Sequence, residues 1–444
     1  MKVLLVSTYE LGRQPVNLAS PAAALGRAGH DVRTCDVSVE MFDPSRVDWA
    51  DMVAISTPMH TAMRLAIEVA KSVKLRRPEL PVAAYGLYAG MVAADGSAHF
   101  DRAIVGEYES PLVDWVSGRS SEQSLTIHMG RGGFTKPDRS LLPGLAEYAR
   151  LDIDGEQRLV GSVEASHGCL HFCKHCPIPA VYDGKIRIVD VETVLADIDQ
   201  QVQAGARHIT FGDPDFLNGP AHSLRIIRAM HTRHPELTFD CTVKVEHILA
   251  HRNVWAEFAR AGCLFVVSAF ESMNDDILNL LDKGHTAKQA ALAVHVLRDE
   301  GIDIRPSWLP FTPWTTRGDI DAMFRFISGH DLIESTDPVQ MGIRLLVPSG
   351  SLVLDIDGID RYLDSYDEGA LSYRWAHEDP AMDRLSAELL RIAETGAVDG
   401  AGTAEIFMKQ WMSVVDGSDL PQPVVAIPDG ARQGRPQLTE SWFC

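Results

Sequence analysis

The sequence predicts an α/β protein made of two successive parallel-sheet units, then a small helical region and an extended tail. Three observations carry this. Residues 1–118 alternate short apolar runs with amphipathic segments in βαβα order. Residues 159–349 resume the alternation with a longer period. Residues 350–416 lose the apolar strand runs, and 417–444 carry four prolines. Sequential βα units bury a parallel sheet between helices.

In the first unit, "KVLLVS" and "MVAIST" have strand length, and "DVRTCDVS" and "PVAAYGLYA" continue the set. "PAAALGRAGH" predicts a helix with Pro21 near its start and Gly29 at its end. "RLAIEVAKSVKLRR" predicts an amphipathic helix, and "FDRAIVGEYESPLVDWV" a closing strand and helix. This order predicts a doubly wound sheet. Residues 119–158 read as a linker, with "SGRSSEQS" at its start and Gly and Pro in "GRGGFTKPDRSLLPG". In the second unit, "LVGSVEAS" is the first strand. "VDVETVLADIDQQVQAGA" has Val191, Val194, Leu195, Ile198 and Val202 on one helical face, ended by Gly205. "HITFGDPDF", "LTFDCTVKVEHI", "CLFVVSAFES", "IDIRPSWLPF" and "VQMGIRLLV" read as further strands. The helices between them include "TAKQAALAVHVLRDEG", with Thr286 as N-cap. Such repeats build a whole or partial (β/α) barrel, with chemistry at the C-terminal strand ends. "AMDRLSAELLRIAETG" and "TAEIFMKQWMSVV" are the C-terminal helices.

Composition narrows the function. A formal net charge of -20, with no basic run longer than "KLRR", argues against a nucleic-acid partner. No apolar run approaches the length that spans a bilayer, and "MKVLLVSTYELG" reads as a strand rather than a secretion signal. Seven cysteines without a repeating pattern argue against a disulfide scaffold and for a reducing cytoplasm. Cys35, Cys241 and Cys263 fall in or beside apolar strands and read as packing residues.

The stretch "SHGCLHFCKHCPIP" is different. Cys169, Cys173 and Cys176 are spaced C-x3-C-x2-C directly after the first strand of the second unit, which is the productive end of a barrel. Three readings compete. Structural zinc usually joins two separated ligand pairs, so here a nearby histidine would have to double back. Free thiols are the second reading. The third is an iron–sulfur cluster held by three thiolates, with one iron open to a ligand.

These residues resemble radical S-adenosylmethionine (SAM) enzymes. The resemblance implies a [4Fe–4S] cluster on the three cysteines, with SAM chelated to the open iron and reductively cleaved. It also implies an electron donor such as flavodoxin or ferredoxin and a small-molecule substrate. His175 takes the place of the aromatic residue that packs by the adenine; the bland reading of His175, His167 and His171 is loop polarity. "FGDPDF" stands where the family binds the SAM amino group, making Gly212, Asp213 and Asp215 candidates. On "TVKVEH", taken as the fourth strand, Lys244 and Glu246 share a face by the period of two. "VSAFES", taken as the fifth, offers Ser268 and Glu271, and "DIRPSW" offers Arg305 as a carboxylate partner. For each, the bland reading is a salt bridge at the barrel end.

Residues 1–118 resemble the cobalamin-binding domain that precedes many radical SAM barrels. Ser56, Thr57, Gly86 and Gly90 would face the corrin. "STYELGRQ" lacks the histidine that other cobalamin domains put on cobalt, so cobalamin would bind without one. The alternative is a flavodoxin-like domain without a cofactor. "EASHGCLHFCKHCPI", "GARHITFGDPDFLNGP", "LDKGHT" and the final "LTESWFC" resemble the CUAEP/CCAEP-tail subgroup of radical SAM proteins. That resemblance implies a tail thiol at Cys444, followed by a cysteine or by a selenocysteine codon that reads as a stop. The expected reaction is C–H functionalisation of a small molecule, with methylation through cobalamin as one form. The alternatives are 3-amino-3-carboxypropyl transfer to a soft acceptor and a redox or sensing module that only carries charge.

Overall fold

The computed structural model describes residues 1–94, 99–120, 123–130, 133–153, 155–423 and 435–440. The first sheet holds β1 (Lys2–Ser7), β2 (Asp31–Asp36), β3 (Met52–Ser56), β4 (Val82–Tyr85), β5 (Arg102–Gly106) and β6 (Leu125–His128). Its order is β2-β1-β3-β4-β5-β6, with every pair parallel. The sixth strand comes from the stretch read as linker, where "LTIH" alternates over only four residues. Helices α1 (Val16–Arg27), α2 (His60–Arg76), α3 (Gly90–Ala94) and α4 (Glu109–Val116) cover the sheet.

Helix α1 begins five residues earlier than its proline suggests, so Pro21 lies inside it. Pro21 has no N–H to give the Asn17 carbonyl one turn back. The Tyr85 hydroxyl donates to that carbonyl instead, at 2.6 Å, and Tyr108 donates to the Asn17 side chain at 2.7 Å. The substitution ties α1 to the sheet it covers.

The second sheet has the order β14-β13-β12-β11-β8-β7-β17. Its strands are β7 (Arg150–Ile153), β8 (Glu156–Val163), β11 (His208–Phe211), β12 (Thr238–Thr242), β13 (Cys263–Glu271), β14 (Asp303–Trp308) and β17 (Gln437–Leu438). From β8 to β14 the pairing is parallel; β7 and β17 add antiparallel strands at one edge. Two short strands, β9 (Ser166–Gly168) and β10 (Ile186–Ile188), pair with each other above it. The interleaved helices are α5 (Ile178–Tyr182), α6 (Val191–Gln203), α7 (Pro220–Arg233), α8 (Val245–Ala250), α9 (Trp255–Arg260), α10 (Asp275–Leu280), α11 (Ala287–Asp299) and α12 (Arg317–Gly329). Helix α11 starts with the Thr286 cap, reinforced by a reciprocal Gln289 bond. A hairpin, β15 (Leu363–Asp367) and β16 (Ser372–Trp375), precedes helices α13 (Pro380–Val398) and α14 (Thr403–Val415). Phe239, Phe258, Phe324 and Trp411 are among the buried residues of the barrel core, so α14 closes it.

Three sequence expectations need correction. "TVKVEH" and "VSAFES" end the third and fourth parallel strands, not the fourth and fifth. Strand β12 stops at Thr242, and Val245 starts a helix, so Lys244 and Glu246 do not share a strand face. "VQMGIRLLV" forms a 3-10 turn (Pro338–Gly342) and an isolated bridge, Phe311 to Arg344, in place of a sixth parallel strand.

The tail is not uniformly loose. Arg435 is buried against Asp303 and Asp331, β17 pairs with β7, and the Tyr9 hydroxyl donates to Glu440 at 2.9 Å.

The two units are joined through residues 138–149. Buried Arg139 donates to the Gln14 carbonyl at 2.9 Å, to the Ser162 carbonyl at 2.6 Å, and to both oxygens of Asp197 on α6 at 3.1 and 2.9 Å. The Ala149 amide donates to the Gly12 carbonyl, and Tyr148 donates to Asp36.

Candidate active site

The cysteine loop leaves β9 at Gly168, whose φ of +77° suits glycine; a Cβ there would lie 2.3 Å from the Lys185 carbonyl oxygen. Cys169 Sγ lies 3.8 Å from Asn218 Oδ1, which also accepts the Leu170 amide. The Cys176 amide closes a turn onto the Cys173 carbonyl, and the Lys174 amide is held by the Leu281 carbonyl. Cys169 and Cys173 are buried and Cys176 is half-buried. Burial pushes the thiols of Cys169 and Cys176 up, that of Cys176 to about 12, and the neighbouring thiols add to it. Three thiols on one loop, two of them kept protonated by burial, fit a cationic centre, which would turn each into a thiolate.

Glu271 stands beside this loop in the left-handed region, with φ +61°. Its Oε1 lies 3.1 Å from both His175 Nε2 and Lys283 Nζ. Burial alone would raise its carboxyl; the Lys283 ammonium and His175 outweigh that and hold it at about 2. Lys283 is itself buried, and burial would lower its pKa; Glu271, Cys173 and Cys176 raise it instead, so it stays an ammonium next to two of the thiols.

The other predicted residues divide. Asp213 accepts from the Ala165 amide at 2.9 Å and Ser166 Oγ at 2.6 Å, anchoring the start of the cysteine loop. Burial still pushes its carboxyl up to about 7. The Gly212 amide donates to the Val163 carbonyl. Asp215 is fully buried, accepts from the Leu217 and Lys244 amides, and lies 2.8 Å from His247 Nδ1. Lys244 Nζ reaches Glu246 at 3.7 Å. Ser268 is buried with its hydroxyl unpartnered among the described residues. Arg305 sits apart from this group. It lies over Phe265 and donates to the Pro436 carbonyl of the tail at 3.4 Å. Cys444 lies outside the described residues.

Sequence reasoning assigned no role to Lys283, His285, His247 or Asn218. His285 is buried with both ring nitrogens unpartnered, and burial with Lys283 beside it pulls its pKa to about 4, leaving a neutral imidazole. The signal was the compact "LDKGHT", where Gly284 lets the chain pass Glu246; a Cβ there would lie 2.6 Å from Glu246 Oε2.

In the first unit, the strand order reverses between β1 and β3, the position where doubly wound sheets bind ligands. The buried Ser7 hydroxyl ends β1 without a partner among the described residues; Ser56 ends β3, its buried hydroxyl beside the Tyr85 phenol. Thr57 Oγ1 donates to the Tyr85 carbonyl at 2.9 Å. Gly86 has φ +113°, and a Cβ would crowd the Thr57 backbone at 3.2 Å. Gly90 opens α3. Thr57 and Gly86 thus meet at the ends of β3 and β4, Gly90 lies against Val105 of β5, and the unpaired Ser7 hydroxyl at the end of β1 is a polar group a cofactor could satisfy.

That edge of the first sheet meets the cysteine loop. Glu107, just after β5, lies 2.9 Å from His167 Nδ1 and accepts from Tyr182 of α5 at 3.0 Å. His167 Nε2 lies 3.1 Å from Glu164. Burial opposes charge on His167, but the two carboxylates raise its pKa well above the ordinary value, so it is an imidazolium.

Comparison with known proteins places the fold among others. Residues 163–327 match the model of the Radical SAM superfamily. The chain is 24% identical over 330 residues to a hopanoid C-3 methylase of Methylococcus capsulatus, covering 70% of this chain and 64% of that one. It is 24% identical over 221 residues to a bacteriochlorophyllide d C-12(1)-methyltransferase of Chlorobaculum tepidum, covering 47% and 46%. Each match thus spans less than two thirds of the relative's own length. Among solved structures, the cobalamin-dependent SAM radical enzyme OxsB with aqua-cobalamin superposes with a TM-score of 0.72 at 13% identity, covering 93% of this chain and 72% of that one. The radical SAM methyltransferase TsrM from Kitasatospora setae, with tryptophan and a SAM analogue, superposes with a TM-score of 0.66 at 16% identity, covering 88% and 89%. These superpositions carry the two-unit fold across both parallel sheets. Among the described residues no helix is long and apolar enough to cross a membrane. The matched span opens at the end of β8 and closes within α12, enclosing the cysteine loop and the strand ends around it: residues 163–327 of the second unit match the Radical SAM superfamily.

Proposed function

We propose that the chain is a cobalamin-dependent radical SAM enzyme that methylates a carbon of a small molecule. The observation that carries this is the shared seam. The C-terminal edge of the first sheet, which carries the switch point, meets the cysteine loop of the second through Glu107, bonded to His167 and Tyr182. A methyl carrier and a radical source would then stand on either side of one substrate. Methylases among the relatives, and cobalamin in the superposed OxsB structure, support the same reading. When bound, the cluster with SAM would supply a 5′-deoxyadenosyl radical, and cobalamin the methyl group.

The chain's own residues do the positioning. Cys169, Cys173 and Cys176 would hold the cluster, and Asn218 and Asp213 fix the loop that carries them. The Glu271–Lys283 pair orients His175 and keeps a positive charge by the thiols. Ser7, Ser56, Thr57, Gly86 and Gly90 would line the corrin side. Reduction would come from a donor such as flavodoxin or ferredoxin.

The test is to reconstitute the full chain anaerobically, add hydroxocobalamin, pass it through gel filtration, then reduce it with SAM present. Retained cobalamin and 5′-deoxyadenosine are expected. Loss of all cobalamin on the column defeats the cobalamin half of the reading. Methylthioadenosine as the nucleoside product defeats the 5′-deoxyadenosyl half and favours 3-amino-3-carboxypropyl transfer.

A further inference from the structure

We propose that His171 and His247 form a second metal site, separate from the cluster, for one divalent first-row transition ion such as zinc. The two residues come from different elements. His171 lies in the cysteine loop between Cys169 and Cys173, and His247 lies in α8 after β12. Their Nε2 atoms are 3.2 Å apart, and the rings are inclined at 59° with centroids 4.7 Å apart. Two imidazoles on one tetrahedral ion, each at about 2.0–2.1 Å, place their nitrogens about 3.3 Å apart. The observed spacing is the one a shared ion needs.

The surroundings select the nitrogen. Each ring has a carboxylate oxygen beside its other nitrogen: Asp215 Oδ2 is 2.8 Å from His247 Nδ1, and Glu246 Oε2 is 3.6 Å from His171 Nδ1. The carboxylates lie on the Nδ1 side of each ring, without hydrogen-bond geometry to His247, and this leaves Nε2 as the nitrogen each ring turns to the other. The two Nε2 atoms then face each other at the spacing one ion would span. A carboxylate on the far side of each ring is where carboxylate–histidine–metal relays place one. Ligand atoms of His171, His247 and Asp215 all lie within 4.8 Å of one another, so the buried Asp215 can also supply an oxygen directly. His251, with its ring centroid 5.5 Å from that of His247, is a further imidazole within a side-chain movement. Lys244 Nζ is close by, but it lies on the Glu246 side, 3.7 Å from Oε2. Both histidine side chains remain partly exposed, at 16% and 14%, so an ion can enter and its remaining positions can take an oxygen or sulfur ligand.

The competing arrangement is a plain hydrogen bond, with one proton shared between the rings. Zinc distinguishes the two. The cluster-loaded full chain is stripped of loosely held metal with EDTA, titrated with zinc, and examined by metal analysis and zinc X-ray absorption. The expected result is one zinc per chain with only nitrogen and oxygen neighbours at about 2.0–2.1 Å, an imidazole scattering pattern and unchanged cluster iron. His247→Ala should abolish this site while keeping the iron. Glu246→Gln should weaken zinc binding about 10–100-fold, and it decides the matter if His247→Ala fails to fold. No retained zinc, zinc with sulfur at about 2.3 Å, or wild-type affinity in Glu246→Gln would each overturn the proposal. None of these readouts depends on SAM cleavage or cobalamin.

Discussion

Replacing Glu271 with Gln removes one charge from the interior without changing the side chain's size. The amide keeps the same left-handed backbone, φ +61°, so strain is equal in the two proteins. What changes is the partner of Lys283, a buried ammonium 3.1 Å away. Two estimates of the cost agree. Holding the carboxyl at about 2, against an ordinary 4.5, stabilises the fold by about 3 kcal/mol at neutral pH. Removing one partner of a buried ion pair costs about 3–5 kcal/mol, because the other charge is stranded. The sign follows from the depressed value: the contribution is full above pH 4.5 and is lost as pH falls through about 2. Denaturant unfolding of the cluster-free protein, followed by tryptophan fluorescence, should show the variant about 3 kcal/mol weaker at pH 7. The gap should narrow as the medium is made more acidic than pH 4.5. A gap under about 1 kcal/mol at pH 7 would mean that Lys283 finds another partner or gives up its proton cheaply, and the argument for a fixed positive charge at the thiols would fail.

Cys169→Ala should abolish the cluster absorbance and the bound iron of reconstituted protein, whereas Cys35→Ala, a buried packing residue of the first sheet, should keep both. Arg139→Ala strands Asp197 between the two units and should cost about 3–5 kcal/mol in thermal or denaturant unfolding, with much of it restored by Arg139→Met paired with Asp197→Leu. Arg435→Ala leaves buried Asp303 and the partly exposed Asp331 without this cation and should release residues 435–440, seen as faster amide exchange at Thr439 and new proteolysis there.

The parts legible in the sequence were those fixed by local pattern. The three thiols, the βα order and the Thr286 cap each depend on residues within a few positions of one another. Lys244 and Glu246 were misplaced because "TVKVEH" keeps an alternating, β-branched pattern, while the chain turns helical at Val245 once Lys244 gives its amide to buried Asp215. Strand β6 and the pairing of β17 are set by neighbours distant in sequence, and segments of four and two residues carry too little periodicity to announce them. The β15–β16 hairpin was legible in principle, since "DEGA" separates two aromatic runs. The role of His167 could not be read locally either, because Glu107 reaches it from the other sheet.

The pairing of β17 with β7 also has a consequence in time. The Arg150 amide and Thr439 hydroxyl that meet at this edge are 289 residues apart. A ribosome working at about 5–20 residues per second needs roughly 15–60 s to make that interval. Throughout it, the outer edge of β7 is a bare row of hydrogen-bonding groups, able to recruit a strand from another nascent chain. Slower translation would lengthen that window, whereas a chaperone that shields the edge would protect the yield of folded protein.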